Sequence, residues 1–336
     1  MSNREKWFWR ILLIASIIGI LSLRVPVQAI GIKKDATPEY VLDTFMVNGI
    51  AFEWTKEKGA NPKYVVLHLH GGGYTQPLEF VGGVYRPIAI EFIERCGSNV
   101  GVLTPDYRVA PDHPFPAAFE DCLMAYIWLL EQGYSSGNIV ISGDSAGGGL
   151  TLAVTMYLRD NNLPLPAGII AMSPWGSMES GIMANQYISD ADPKTPYLSP
   201  YFGDFHDLPP ILLQWSKGEI QEADAHELVA KFTEQGIRFT PTEYNGHLHA
   251  FQVIAPKGTV SKKAWLEVGE FIKQSFDERA DTVDARYDSD ILKSHYNEYH
   301  ILNSDVSSFP EKTSFVDKVK YWASYIYTRV TFFFGY

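Results

Sequence analysis

Short apolar runs alternate with stretches of helical periodicity over most of this chain. The runs are rich in β-branched residues and predict strands at residues 64–69, 99–106, 139–141, 167–173, 210–215 and 239–244, and the run at 139–141 is typical of a buried strand. Helical patterns lie between them at residues 85–95, 119–132, 150–158 and 225–235. This alternation predicts an α/β fold, in which a mostly parallel sheet has helices on both faces. Residues 40–57 are less clearly patterned and predict two edge strands.

The turn after the strand at residues 139–141 carries candidate chemistry. It reads Gly143-Asp144-Ser145-Ala146-Gly147, which fits the pattern G-x-S-x-G, and a helical stretch follows. In that context the turn lifts the Ser145 hydroxyl clear of the sheet, and the helix N-terminus favours negative charge beside it. We therefore interpret Ser145 as a candidate nucleophile, against the alternative that a Gly/Ser-rich turn is only structural.

A second loop is rich in glycine. His70-Gly71-Gly72-Gly73 ends the strand at residues 64–69 and precedes the helical stretch at 85–95. Glycines let backbone amides approach a ligand without Cβ clashes, and such amides stabilise a developing oxyanion by about 3 kcal/mol each. The pattern favours an oxyanion hole over a plain turn.

A serine nucleophile needs a base within hydrogen-bond reach and an acid that orients the base. His247 and His249 both follow the strand at residues 239–244, and their positions alone leave the choice of base open. In this sheet topology the acid lies between the serine and the histidine in chain order.

Composition narrows the class of protein. With 336 residues, 46% hydrophobic and 20% charged, the chain can form one large α/β domain or two smaller ones. The net charge of −11, with no Lys/Arg cluster, argues against a nucleic-acid partner. Cys96 and Cys122 give no disulfide framework, and we interpret both as buried free thiols. No Cys/His spacing indicates a metal site.

The N-terminus resembles a targeting segment. Residues 1–10 carry three basic side chains and one acidic one, and an uncharged apolar run of 13 residues follows at 11–23. A spanning helix needs about 20 apolar residues. Because Val27-Gln28-Ala29 is a candidate cleavage site, we interpret residues 1–29 first as a signal peptide, second as an uncleaved membrane anchor and third as an ordinary buried helix. We therefore expect an exported or membrane-associated protein.

The C-terminus is also distinct. Residues 277–310 are polar and acidic and show no clear helical or strand period. Residues 315–334, in contrast, place aromatic and apolar side chains at helical spacing beside basic ones. Such a helix can lie in a membrane interface or dock on its own domain, and both alternatives stay open. The predicted organisation is a leader (residues 1–29), an α/β domain (36–276) and a C-terminal extension (277–336). Residues 7–23 and 315–334 are the candidate segments for membrane association.

Three stretches in order resemble the hormone-sensitive-lipase-like branch of the α/β-hydrolases, which includes arylacetamide deacetylases and many bacterial carboxylesterases. They are the glycine loop His70–Gly73, the proline-punctuated stretch from Asp106 to Ala118, and Gly143–Gly148. The resemblance covers residues 64–276 and implies an α/β-hydrolase fold that hydrolyses esters with a serine nucleophile. It implies no metal and no organic cofactor.

The resemblance also implies which residues act. Family members place the catalytic histidine in a G-x-x-H-x-F pattern, and residues 246–251 match it with His249 as the base. Laying residues 208–214 on the family's Pro-Pro strand brings Glu219 to the acid position. Gln221 replaces the family's usual leucine, so Asp224 is the alternative acid.

The backbone amides of Gly72, Gly73 and Ala146 correspond to the family's oxyanion hole, with His70 and Gly71 completing the loop motif. About 35 residues lie between Ala29 and the first strong strand, which implies a reduced cap over the pocket. The irregular connection at residues 177–199 is a candidate to replace part of that cap.

The expected function is therefore a carboxylesterase or deacetylase. Its expected partner is a small hydrophobic ester with a short to medium acyl group, or an acetylated hydrophobic compound. The alternatives are an interfacial lipase, suggested by the aromatic tail, and a non-catalytic ligand-binding homologue. A peptidase of the same fold is a weaker option.

Overall fold

A computed structural model describes residues 40–179, 182–246 and 248–279. The leader expected at residues 1–29, the tail helix expected at 315–334 and His247 lie outside these residues. Within the described part of the chain, no helix combines the length and apolar character needed to cross a membrane.

Eight strands form a single sheet in the order β1-β2-β4-β3-β5-β6-β7-β8. The pairs β1–β2 and β2–β4 are antiparallel, and all other neighbours are parallel. This confirms the predicted mostly parallel sheet, although β2 lies between two strands rather than at an edge. The strands are β1 (Tyr40–Val47), β2 (Ile50–Glu57), β3 (Tyr64–Leu69), β4 (Val100–Pro105), β5 (Ile139–Asp144), β6 (Gly168–Met172), β7 (Ile211–Ser216) and β8 (Phe239–Tyr244).

Helices cover both faces of the sheet, as predicted. They are α1 (Leu78–Cys96), α2 (Ala117–Glu131), α3 (Ala146–Asp160), α4 (Ile182–Ile188), α5 (Glu222–Glu234), α6 (Phe251–Ile254) and α7 (Thr259–Arg279). Helices α1 and α7 bury their apolar faces against one side of the sheet, around Phe92 and Trp265. Helices α3 and α5 bury theirs against the other side, around Leu152 and Phe232. Cys122 is buried, Cys96 is partly buried, and both are free thiols.

Three helical features depart from the predicted pattern. Helix α1 begins at Leu78 rather than near residue 85, because the Asp106 carboxylate accepts a hydrogen bond of 2.7 Å from the Leu78 N–H at its first turn. The connection at residues 177–199 contains the short helix α4. Helix α7 was not predicted, and it continues past the expected domain end at residue 276 to Arg279.

The sheet places the candidate residues together. Strands β3, β5, β7 and β8 are parallel, so their carboxyl ends at Leu69, Asp144, Ser216 and Tyr244 lie along the same edge. The glycine loop, Ser145, Glu219 and His249 all follow one of these ends directly. The carboxyl edge of the parallel strands therefore brings the candidate catalytic residues together.

Candidate active site

Ser145 stands on a sharp turn between β5 and α3. Its backbone φ of 53° lies in the left-handed region that residues with side chains rarely occupy. The turn is held by its own backbone, since the Ser145 N–H donates to the Met172 carbonyl at 2.9 Å and its carbonyl accepts from the Trp175 N–H at 2.9 Å. A Cβ at Gly147 would collide with the Leu69 carbonyl oxygen of β3. The glycine therefore lets α3 start close against the sheet.

A chain of two hydrogen bonds leads away from the serine. Ser145 Oγ lies 2.7 Å from His249 Nε2, and His249 Nδ1 lies 2.9 Å from Glu219 Oε2. A carboxylate only accepts, so Nδ1 carries the proton and Nε2 is free to accept the serine proton. The Glu219 side chain is fully buried, and its other oxygen accepts from the Ser216 N–H at 3.0 Å. The histidine is thus fixed in the tautomer that a general base requires.

The loop that carries His249 is fastened to two strand ends. The Gly246 N–H donates to Ser216 Oγ at 3.1 Å, and the Ala250 N–H donates to Ser173 Oγ at 3.2 Å. These bonds lie on either side of His249, so the position of the imidazole depends on β6 and β7 rather than on the loop alone.

Asp224, the alternative acid, has a different environment. Its carboxylate accepts hydrogen bonds from the Gly176 and Ser177 amides at 2.9 and 3.2 Å. Burial raises the pKa of this carboxyl group. Asp224 therefore fastens the connection after β6 to the first turn of α5, whereas Glu219 contacts the histidine.

The glycine loop follows β3 at the same edge of the sheet. Gly72 and Gly73 have φ values of 129° and 62°, which only glycine adopts readily. No hydrogen bond among the described residues uses the N–H of Gly72 or Gly73. The N–H of Ala146 opens α3 and is among the amides that lack a partner within the helix. Three amide donors are thus available next to the serine turn.

Buried polar groups lie beneath this loop. The Gly71 N–H donates to Asp144 Oδ1 at 3.1 Å and to Tyr85 Oη at 2.7 Å, and the Tyr85 hydroxyl donates to Asp144 Oδ2 at 3.0 Å. Burial raises the pKa of Asp144 to about 6. The sequence analysis did not identify either side chain, although an acidic residue directly after an apolar run such as 139–141 is a signal of a buried, functional carboxylate.

His70 belongs to the loop's support. Its ring stacks on Tyr107 with centroids 4.1 Å apart, and the Tyr107 hydroxyl donates to the His70 carbonyl at 2.6 Å. His70 Nδ1 donates to the Gly71 carbonyl at 2.8 Å. Burial lowers the pKa of His70 to about 4, so this imidazole is neutral at physiological pH and holds the loop from within.

Helix α4 covers the loop from the other side. A Cβ on Gly73 would lie 2.6 Å from Met183 Sδ, so the thioether rests directly on this glycine. The Thr75 hydroxyl also donates to that sulfur at 3.9 Å. Tyr187 stacks on Tyr74 at 3.9 Å. The connection at residues 177–199 therefore contacts the glycine loop.

Glu222, His226 and Glu243 are the described residues that could approach a cation together, with ligand atoms within 4.8 Å of one another. They lie on α5 and β8 and are exposed or partly exposed. They are separate from the Ser145–His249–Glu219 chain, and the chemistry considered below does not use them.

Comparison with known proteins agrees with this architecture. Residues 66–253 match a family model described as the alpha/beta hydrolase fold. The chain is 31% identical to an acetyl-hydrolase of Streptomyces hygroscopicus over 251 residues, covering 69% of this chain and 82% of that protein.

Solved structures are also similar. An EstE5 structure soaked with p-nitrophenyl butyrate is 35% identical, with a TM-score of 0.66, covering 71% of this chain and 86% of that one. An esterase from the bacterial hormone-sensitive lipase family is 32% identical, with a TM-score of 0.65, covering 71% of this chain and 85% of that one.

Proposed function

The chain belongs to the hormone-sensitive-lipase-like branch of the α/β-hydrolase family and hydrolyses carboxylic esters, and we propose that it does so with Ser145, His249 and Glu219 as its catalytic triad. One observation carries the proposal: the hydrogen bonds of 2.7 and 2.9 Å that join the serine, the imidazole and the buried carboxylate. A nucleophile, a base and an orienting acid in that order are what acyl transfer requires.

In the acylation step, Ser145 Oγ attacks the ester carbonyl carbon while His249 Nε2 takes the hydroxyl proton. The carbonyl π electrons move to oxygen and form a tetrahedral oxyanion. His249 then gives its proton to the leaving alcohol as the C–O bond breaks, which leaves an acyl-serine. Water repeats the sequence with His249 again as base, releasing the carboxylic acid and restoring Ser145.

Glu219 acts on the histidine rather than on the substrate. It accepts from His249 Nδ1 at 2.9 Å and keeps Nε2 directed at Ser145. When His249 becomes an imidazolium, the buried carboxylate stabilises the new positive charge. Its hydrogen bond from the Ser216 N–H fixes the orientation of the Glu219 carboxylate.

The oxyanion is assigned to the amides of Gly72, Gly73 and Ala146. Each such donor lowers the transition-state free energy by about 3 kcal/mol, because it is aimed at the charge before the charge develops. His70 and Gly71 hold the loop and make no contact with the reacting atoms in this proposal.

The substrate class follows from what lies on the loop. We assign short to medium acyl esters, or acetylated hydrophobic compounds, because the Met183 thioether rests on Gly73 and restricts space beside the oxyanion. The names of an acetyl-hydrolase relative and of a structure soaked with p-nitrophenyl butyrate are in keeping with this range. The lipase alternative depends on the aromatic tail at residues 315–334, which lies outside the described residues.

The test is hydrolysis of p-nitrophenyl esters by the full chain, with acyl groups from acetyl to palmitoyl and Ser145→Ala as control. Turnover that requires Ser145 and declines for long acyl chains supports the proposal. Labelling by a fluorophosphonate should fall on Ser145, as identified by peptide mass spectrometry. A folded protein with neither turnover nor labelling would point instead to a ligand-binding homologue.

A further inference from the structure

Asp144 precedes the nucleophile and is almost wholly buried, with 2% of its surface exposed. Both of its carboxylate oxygens are in use. Oδ1 accepts from the Gly71 N–H at 3.1 Å, and Oδ2 accepts from the Tyr85 hydroxyl at 3.0 Å. The same Gly71 N–H also donates to the Tyr85 oxygen at 2.7 Å. Three groups from β5, α1 and the glycine loop therefore form a closed set of hydrogen bonds.

These contacts join the two halves of the oxyanion hole. One half is the loop after β3, which supplies the amides of Gly72 and Gly73. The other half is the Ala146 amide, which belongs to the turn after β5. Asp144 lies two residues before Ala146, and it holds Gly71, the residue just before Gly72. The fit at Gly71 is close, since a Cβ there would collide with Asp144 Oδ2.

We propose that Asp144 and Tyr85 are positioning residues for the oxyanion hole, which fix the glycine loop to the nucleophile turn so that amides from both converge on one point. The inference rests on the proposed function. Neither side chain contacts the substrate in this role. A displacement of about 1 Å in an oxyanion donor costs about 10²-fold in rate. The hydrogen bonds that hold Gly71, next to Gly72, therefore affect the rate strongly although Asp144 and Tyr85 do not bind the substrate.

The charges around Asp144 indicate that it is not kept for stability. Burial lowers the pKa of its neighbour His68 to about 3, so this imidazole, 3.8 Å away, is neutral and gives no counter-charge. His70 is likewise neutral, and Tyr85 is a neutral donor. The nearby group that can become positive during turnover is His249, whose attraction favours the ionised carboxylate. An ionised Asp144 is thus a buried anion beside neutral groups.

Two explanations make different predictions for Asp144→Asn. If the carboxylate is only a structural hydrogen-bonding group, the variant loses stability and activity together. If it is a positioning residue, the variant removes an unfavourable buried charge while it misplaces the loop. An asparagine presents an NH₂ to one of the two donors that Asp144 satisfies, so one contact of the closed set is lost.

The experiment compares Asp144→Asn, Tyr85→Phe, the double variant and the control Tyr126→Phe in the full chain at about pH 8. Tyr126 is a matched control because it is buried and its hydroxyl donates to a backbone carbonyl, that of Pro164, at 2.9 Å. Measurements are kcat and KM for p-nitrophenyl butyrate, inhibition by an alkyl trifluoromethyl ketone, and thermal unfolding. The ketone forms a hemiketal whose oxyanion needs the same hole, so its affinity reports hole geometry directly.

For Asp144→Asn we expect kcat to fall about 10- to 100-fold with KM changed by less than about 2-fold. The inhibition constant of the ketone should rise by the factor by which kcat/KM falls. The Tm should equal or exceed that of the wild type. Tyr85→Phe should lose about 3- to 10-fold in kcat, and the double variant should lose less than the product of the two single losses. Tyr126→Phe should keep wild-type kcat and ketone affinity.

Three results overturn the inference. Asp144→Asn with wild-type kcat and ketone affinity removes the positioning role. A parallel fall of Tm and activity also removes it, if the affinity for the ketone and the apparent affinity for substrate given by KM decrease by the same factor. That is the behaviour of a structural residue. Both leave Ser145-dependent turnover of the wild type intact. If wild-type turnover does not require Ser145, the proposed function falls first, and the inference falls with it.

Discussion

The oxyanion loop is held from two sides by different kinds of contact. Beneath it, the anchor of Gly71, Tyr85 and Asp144 is buried and consists of hydrogen bonds of 2.7 to 3.1 Å. Above it, Met183 and Tyr187 of α4 make sulfur and ring contacts. Hydrogen bonds are directional and weaken when distance or angle departs from the favoured geometry, whereas apolar contacts tolerate such shifts.

This difference separates two properties of the enzyme. The anchor is attached to the ends of β3 and β5 in the centre of the sheet, and in the proposed mechanism it determines how well charge is stabilised for any ester. Helix α4 belongs to an irregular connection, and in the same proposal it determines which acyl group has room beside Gly73. We therefore expect changes beneath the loop to alter rate for all esters, and changes above it to alter preference among them.

The largest expected effect is the loss of kcat when the proposed nucleophile or base is removed. Ser145→Ala should lower kcat by at least about 10⁴-fold, because both loop supports act only on a reaction that Ser145 starts. His249→Ala should be equally severe, and the double variant should be little worse than either single one. Steady-state rates with p-nitrophenyl butyrate and circular dichroism of the folded state measure this. Substantial activity in either single variant would disprove the triad as assigned.

The next effect tests whether the two candidate acids, Glu219 and Asp224, differ in role. Glu219→Ala should lower kcat about 10³- to 10⁴-fold, since His249 loses its orienting partner. Asp224→Ala removes hydrogen bonds to Gly176 and Ser177, so it should lower Tm and leave kcat within about 10-fold. Both variants are assayed side by side for kcat and thermal unfolding. The opposite ranking of kcat would make Asp224 the acid.

A smaller effect concerns the pH-dependent contribution of Asp144 to the free energy of unfolding. Burial raises the pKa of Asp144 from 3.8 to about 6, so the folded protein binds this proton more tightly than the unfolded chain does. The stability it contributes is present below about pH 4 and is lost as pH rises through about 6, amounting to about 3 kcal/mol.

Asp144→Asn removes that dependence. The neighbouring titratable groups are His68 from β3, His70 from the glycine loop, Tyr85 from α1 and His249, and all of them are retained in this variant. Urea unfolding of wild type and variant from about pH 4 to about pH 8 should show the free energy of unfolding shifting in favour of the variant as pH rises. A difference that is constant over this range would contradict the raised pKa.

The smallest expected effect lies above the loop. Met183→Ala should leave the rate with p-nitrophenyl acetate within about 2-fold and raise the relative rate with octanoate about 3- to 10-fold, because the thioether no longer occupies space at Gly73. Met46→Ala is the control, since that methionine is exposed on β1. A uniform loss across all acyl lengths would show that α4 positions the loop as the anchor does.

Most of the sheet was predictable because buried parallel strands are apolar on both faces. The strand predicted at residues 64–69 coincides with β3, and the one predicted from residue 139 begins where β5 does. Ser145 was predictable from its local sequence, because the turn and the helix after it are encoded within a few residues. His249 and Glu219 needed the resemblance as well, because the contact between them joins separate loops.

What the sequence could not predict depends on contacts between distant segments. Tyr85 and Asp144 are 59 positions apart and meet only in the folded protein, where α1 packs on the sheet. The early start of α1 depends on Asp106, which comes from β4's end. Helix α7 is different, since Trp265, Val268, Ile272 and Phe276 lie on one face at helical spacing and periodicity alone would have predicted it.

The stacking of Tyr64 on Phe276, with ring centroids 4.4 Å apart, joins the first parallel strand to the last described helix. During synthesis the ribosome releases Tyr64 long before Phe276, and His249 also emerges late. The serine turn is therefore made before its proposed base, so a growing chain cannot join Ser145 to His249 until the residues that follow β8 have left the ribosome. Helix α7 is made later still, and its contact with Tyr64 joins the last described helix to the strand with which the parallel sheet began.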